Sequence, residues 1–224
     1  MTTYAAMETM VRYRIDEATA RRWSSAGQIV PYISQAERHL AGVISRIPDG
    51  HRFRAIHESA TLASGATIFD LTTLGSSVRE FDWLIAASIV IANLEVPLMT
   101  WEENEQPFLR NMILSGGSPI SRVDLQDDNL VVLPSYGSAR TMYFNYGWIP
   151  LVKTTGNLET PVKYDDVVRD WAAWYANADA GIKNNDQYDQ LLAREEEIAD
   201  LERSRRGISN ESVVQRGHHL SRCR

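Results

Sequence analysis

Arg140-Thr141-Met142-Tyr143-Phe144-Asn145-Tyr146 alternates between apolar and wetter positions. A period of two residues is the signature of a strand with one buried and one wetter face, and such strands pair antiparallel. The same reading extends outward on both sides. Ala66 to Leu71, Phe81 to Leu98, Asn129 to Leu133 and Thr141 to Val152 are rich in β-branched and aromatic residues. They are punctuated by Gly65, Gly75, Gly116-Gly117, Gly137 and Gly147, so the middle of the chain is predicted to be strands. Glu102 to Leu114 is the exception, a short helix interrupting the sheet.

Farther out the period becomes helical. Met7, Met10, Val11 and Ile15 follow Thr3, a residue suited to capping, and predict a helix over 4–19. After Trp23-Ser24-Ser25, the stripe Ile29, Ile33, Ala36, Leu40, Val43 and Ile44 predicts a second helix that stops before Pro48-Asp49-Gly50. Pro31 belongs in its first turn, where the missing N–H is harmless. Near the other end, Tyr164-Asp165-Asp166 opens a helix with Val167, Val168, Trp171, Trp174, Tyr175, Ala178 and Ile182 on its apolar side. Asp186 caps the next, striped by Tyr188, Leu191, Leu192, Ile198 and Leu201, with Arg194 and Glu195 to Glu197 toward water.

The order helix-helix, strands, helix-helix predicts an α+β fold. A helical bundle built from both chain ends (1–50 and 161–203) carries an antiparallel β insertion (51–160), and an extended basic C-terminal tail (204–224) follows.

Charge divides the chain in the same way. Arg203, Arg205, Arg206, Arg216, Arg222 and Arg224 face one carboxylate, Glu211, so 203–224 carries about +5 whereas the whole chain is formally −6. A cationic extension on an acidic body is suited to a partner's acidic surface. The acidic body itself repels phosphates, which excludes it as a DNA reader.

The composition, 44% hydrophobic and 23% charged, is that of a globular chain, and six tryptophans and nine tyrosines suit interfaces as well as cores. The single cysteine, Cys223, allows no internal disulfide and fits a reducing site of synthesis. Met1 to Met10 lacks the basic and apolar regions of a secretory signal, and Trp83 to Ala92, the longest apolar stretch, is too short to span a bilayer. No membrane association is expected.

Catalytic patterns are missing. There is no phosphate-binding G-x-x-x-x-G-K-[ST], no G-x-S-x-G and no H-E-x-x-H, and Gly116-Gly117-Ser118-Pro119 reads as a turn. His39, at the edge of the second helix's stripe, reads as a satisfied or solvent-facing side chain. His218-His219 with Cys223 lacks the fixed geometry of a metal site. No catalysis, cofactor or metal is expected.

The elements in this order resemble the head-to-tail adaptor, or connector, proteins of tailed bacteriophages, the short-tailed type above all. The resemblance rests on Met10 to Glu17, Trp23-Ser24-Ser25 and Ile29 to Ile44, with Tyr32-Ile33-Ser34-Gln35-Ala36-Glu37 inside the long helix. It continues at Gly147-Trp148-Ile149-Pro150, Pro161 and the helix pair Tyr164 to Ile182 and Asp186 to Arg203. Phe69-Asp70-Leu71-Thr72 stands where the family commonly has a Leu-Pro turn.

The resemblance implies a non-enzymatic virion protein, made in the host cytoplasm and placed in the neck between capsid and tail. It implies a homo-oligomeric ring, commonly a dodecamer, between the portal protein and the tail nozzle protein. Viral DNA passes through without sequence-specific binding, and the tail arginines Arg203, Arg205, Arg206, Arg216, Arg222 and Arg224 contact the portal. The alternative is a soluble carbohydrate- or ligand-binding protein in which Trp83, Trp101, Trp148 or Trp171 lines a cleft beside carboxylates.

Overall fold

The computed structural model describes residues 1–15, 23, 27–47, 53–76, 79–100, 122–133, 135–182 and 185–220, with side chains throughout except at 99, 100, 122 and 204–220. The fold is α+β, with four α-helices and predominantly antiparallel sheets among the described residues. It divides into two compact units, residues 1–53 with 149–224 and residues 54–148. The expected helix within Glu102 to Leu114 lies outside the described residues.

In the first unit, α1 (Tyr4–Arg14) starts at Thr3, whose hydroxyl accepts from the Ala6 N–H at 3.1 Å. The α2 helix (Val30–Ser45) carries Pro31 in its first turn, as the sequence predicts, and buries Ile33, Ala36, Leu40, Ala41 and Ile44. The α3 helix (Asp165–Asp179) places Asp165 and Asp166 at its positive end and buries Val167, Val168, Trp171, Ala172 and Ala176. Gly181, at φ 81°, stops it: the Gly181 and Ile182 N–H groups turn back to the carbonyls of Ala178 and Asn177. Packing joins α3 to α1, α2 and α4 (Asn185–Leu220).

Residues 149–160, which the sequence reading assigns to the β insertion, cluster with the helices instead. The reason is backbone satisfaction. Leu158 N–H donates to the Thr2 carbonyl at 2.9 Å, Tyr4 N–H to the Gly156 carbonyl at 3.0 Å, and Lys153 N–H to the Ser34 hydroxyl at 3.3 Å. A segment whose donors are taken by α1, α2 and the chain start belongs to their core.

Among its described residues the second unit has two four-stranded sheets. One runs β1 (Arg54–Leu62), β8 (Arg140–Pro150), β3 (Arg79–Ile91), β4 (Leu94–Pro97) in spatial order. The other runs β2 (Ile68–Asp70), β7 (Asn129–Leu133), β6 (Arg122–Gln126), β5 (Met99–Thr100), with a parallel β5–β6 pair at its edge. Their shared core contains Phe69, Leu71, Val132, Ile89, Met142 and Phe144. Met142, Phe144 and Tyr146 are the buried set of β8, while Tyr143 and Asn145 stay partly exposed, in the alternation read from sequence. Tyr146 completes this core by donating its hydroxyl to the Leu74 carbonyl at 2.6 Å.

Phe81 to Leu98, read as one extended run, is a hairpin. Ala92 and Asn93, at φ 52° and 65°, form a two-residue turn between β3 and β4. Alanine carries a steric penalty in this left-handed region that asparagine largely avoids. Replacing Ala92 with Asn should therefore stabilise the β unit by ~0.5–1 kcal/mol, read as a raised urea midpoint with unchanged slope. A lowered midpoint would contradict the turn geometry.

Candidate interaction site on the helical unit

Four buried acids, Glu37, Asp170, Glu195 and Glu202, organise the helices, and none is legible as an apolar stripe. Glu37 on α2 is fully buried. Its carboxylate accepts from the Tyr4 hydroxyl at 2.6 Å and from the Thr160 N–H at 3.2 Å, and it also takes the Glu159 N–H. Burial pushes the Glu37 carboxyl up from its usual range, against the opposing effect of these donors and of nearby Lys153. The Tyr4 hydroxyl is pushed up by its own burial and by Glu37.

Glu195 and Glu202 lie on the packed face of α4 with Leu191 and Ile198. The sequence reading places Glu195 toward water, and the structure corrects it: its Oε1 sits 2.6 Å from His39 Nε2. A carboxylate can face the interior where a histidine meets it. His39 is thus satisfied, as read from sequence. Its ring also packs at 4.6 Å on Trp171, the centre of a cluster with Trp174, Tyr175 and Tyr188. Burial, with help from Glu195 and Tyr188, pushes the Tyr175 hydroxyl up to about 12. Glu202 pairs with Lys163 at 2.5 Å and accepts from the Tyr164 hydroxyl.

Asp170 on α3 collects three guanidinium groups from three helices. Arg14 reaches it at 3.1 Å, Arg169 at 2.9 Å and Arg194 at 2.6 Å. The carboxylate is 6% exposed, yet Arg14 and Arg194 remain 49% and 41% exposed, so the cluster has a buried anchor and a cationic rim. Arg169 also pairs with Asp166 at 2.8 Å, and the two carboxylates, Asp170 foremost, hold its guanidinium more firmly protonated than usual.

The tail differs from the extended segment expected. The α4 backbone is helical to Leu220. No proline follows Pro161, so a helix anchored through Leu191, Glu195, Ile198 and Glu202 propagates without a stop. About 27 Å of helix lies beyond Glu202 at the standard rise. Of the arginines singled out, Arg203 is half-exposed and pairs with Asp200 at 2.6 Å. The side chains of Arg205, Arg206 and Arg216, and the whole of Arg222, Cys223 and Arg224, lie outside the described residues.

In the β unit, His57 interrupts the β1–β8 register at φ 57°, its N–H capped by the Asn145 side chain at 2.7 Å. Its ring stacks on Tyr143 at 3.9 Å and reaches Glu95 at 3.0 Å. The Ser88 hydroxyl donates to the same carboxylate and, with His57, holds the Glu95 carboxyl below its usual range. Histidine and serine both bind Glu95 instead of one another, so His57 is not paired with the Ser88 hydroxyl. Among the described residues no group of three or more His, Cys, Asp or Glu is placed to hold a metal, and no helix is long and apolar enough to cross a membrane.

Two of the tryptophans named as candidates to line a cleft, Trp83 and Trp148, lie on opposite faces of β8. Trp83 packs over Gly147, whereas the next residue, Trp148, points to the opposite face and packs on the β core. Trp171 is buried among helices, and Trp101 lies outside the described residues. No family model matches this sequence, and no curated protein matches it either.

Proposed function

We propose that this chain is a virion structural protein, a head-to-tail adaptor whose helical bundle forms a ring between the portal and the tail nozzle. The observation that supports this reading most is the union of both chain ends in one helical unit that brackets an inserted β unit. That is the element order of the adaptors the sequence resembles. The basic end of α4 is the arm that grips the portal in this reading. Its excess charge steers docking and makes the contact sensitive to salt. The acidic body surrounds viral DNA without holding it, since like charges disfavour adhesion.

The test is electron cryo-microscopy of the purified chain mixed with the portal ring encoded beside it. A new ring of density at the narrow end of the portal, with helical arms along its side, is the expected result. Absence of added density at low salt would overturn the reading. Reversing Arg203, Arg205 and Arg206 to Glu should weaken portal binding by about 10–100-fold, at ~1 kcal/mol or less per exposed pair with added repulsion, and flatten its salt dependence. Unchanged binding would remove the tail from the contact.

A further inference from the structure

Two faces of the helical unit carry opposite charge and cannot meet within one molecule. The first is the rim at Asp170, where three guanidinium groups are offset by the carboxylates of Asp166 and Asp170, leaving a surplus positive charge. Arg14 gives Asp170 only its Nε and Arg194 only its Nη1, so both keep outward donors with no other acceptor among the described residues. The second is the outer face of α4, where Asp189, Glu196 and Asp200 are exposed, Asp200 beside its partner Arg203.

Helical geometry separates these faces. At about 100° per residue, Asp189, Glu196 and Asp200 lie roughly opposite the packed Leu191, whereas Arg194 lies about 60° from it. The faces are therefore about 120–160° apart around one rigid helix. Ahead of the basic tail the chain is acidic, so the rim is a cationic exception there, and the carboxylate-rich surface that a second copy offers to it is the outer face of α4.

We infer that copies of this chain associate by seating the Asp189, Glu196 and Asp200 face of one copy on the Arg14, Arg169 and Arg194 rim of the next. Guanidinium groups and carboxylates suit this contact because their paired donors and acceptors match in spacing. The two surfaces differ, so the contact is heterologous: it adds copies head to tail instead of ending at a two-fold dimer, and the ring reading requires that its rotation close. This inference rests on the reading of the chain as a ring subunit and names the contact that joins its subunits.

The experiment is sedimentation of the full chain at several hundred micromolar and low salt, with no portal present. Two variants are compared. Arg14→Gln/Arg194→Gln removes rim charge while leaving amide donors for Asp170, and Asp189→Lys/Glu196→Lys/Asp200→Lys reverses the acidic face. Wild type should form species larger than a dimer that dissociate as salt rises, and each variant alone should associate at least tenfold more weakly. Their equimolar mixture, which retains one intact pairing, should stop at dimers. That rescue also shows that both variants are folded. A monomeric wild type, a variant that assembles like wild type, or a mixture without dimers overturns the contact. Portal capture is measured separately, so failure here leaves the adaptor reading standing on its own test.

Discussion

Replacing Glu37 with Ala should destabilise the helical unit by about 3–5 kcal/mol, whereas Glu37→Gln should leave it as stable as wild type or more so at neutral pH. The asymmetry follows from the partners. Alanine abandons the Tyr4 hydroxyl and the Glu159 and Thr160 N–H groups inside the protein. Glutamine keeps an oxygen for the two N–H groups and turns an amide N–H toward the Tyr4 oxygen.

The pH dependence separates charge from hydrogen bonding. Burial raises the folded carboxyl's pKa above that of the unfolded chain. Between the two values the folded state binds more protons, so stability falls as pH rises through that window. The Glu37 contribution is fully present below the unfolded pKa of about 4.3 and lost above the raised folded value. Glu37→Gln removes this slope, and its advantage over wild type should grow as pH rises from about 4 to 7. Urea unfolding followed by tryptophan fluorescence at both ends of that range measures it. Equal losses for Ala and Gln would mean that the ionised carboxylate, paired through Lys153, is itself required.

The second large effect belongs to the β unit. A Cβ at Gly147 would overlap Nε1 and Cδ1 of Trp83, far inside contact distance. The indole lies directly on the β8 backbone, a close approach that glycine alone permits. Gly147→Ala should therefore destabilise by ~3 kcal/mol, at the upper end of overpacking costs. Trp83→Ala loses packing on its own but removes the clash, so the double variant should be more stable than the sum of the single losses by at least ~1 kcal/mol. Additive losses would show that the strain at 147 lies in the backbone and not against Trp83.

The elements legible from the residues alone are those whose signal is periodic or chemical and local. The stripes of α2 and α3, Pro31 in a first turn, the alternation of β8 and the α+β order follow from which residues prefer which face or turn, and tertiary context reinforced those preferences. The tail arginines are visible as a charge imbalance, a sum over residues that needs no structure.

The rest follows from long-range packing, because a residue's environment there depends on neighbours distant in sequence. Glu195 reads as solvated until His39 is found across the helix interface, 156 positions away. Asp170 reads as a polar residue of α3 until guanidinium groups arrive from α1 and α4. Ala92 offers no turn signal, yet strand pairing on both sides drives it into the left-handed region. The α4 helix runs past the boundary that charge suggested, since helical hydrogen bonding propagates from an anchored turn regardless of a change in side-chain sign. Local preference sets the elements, whereas burial and long-range pairing set which polar groups become anchors and which remain on the surface as contacts.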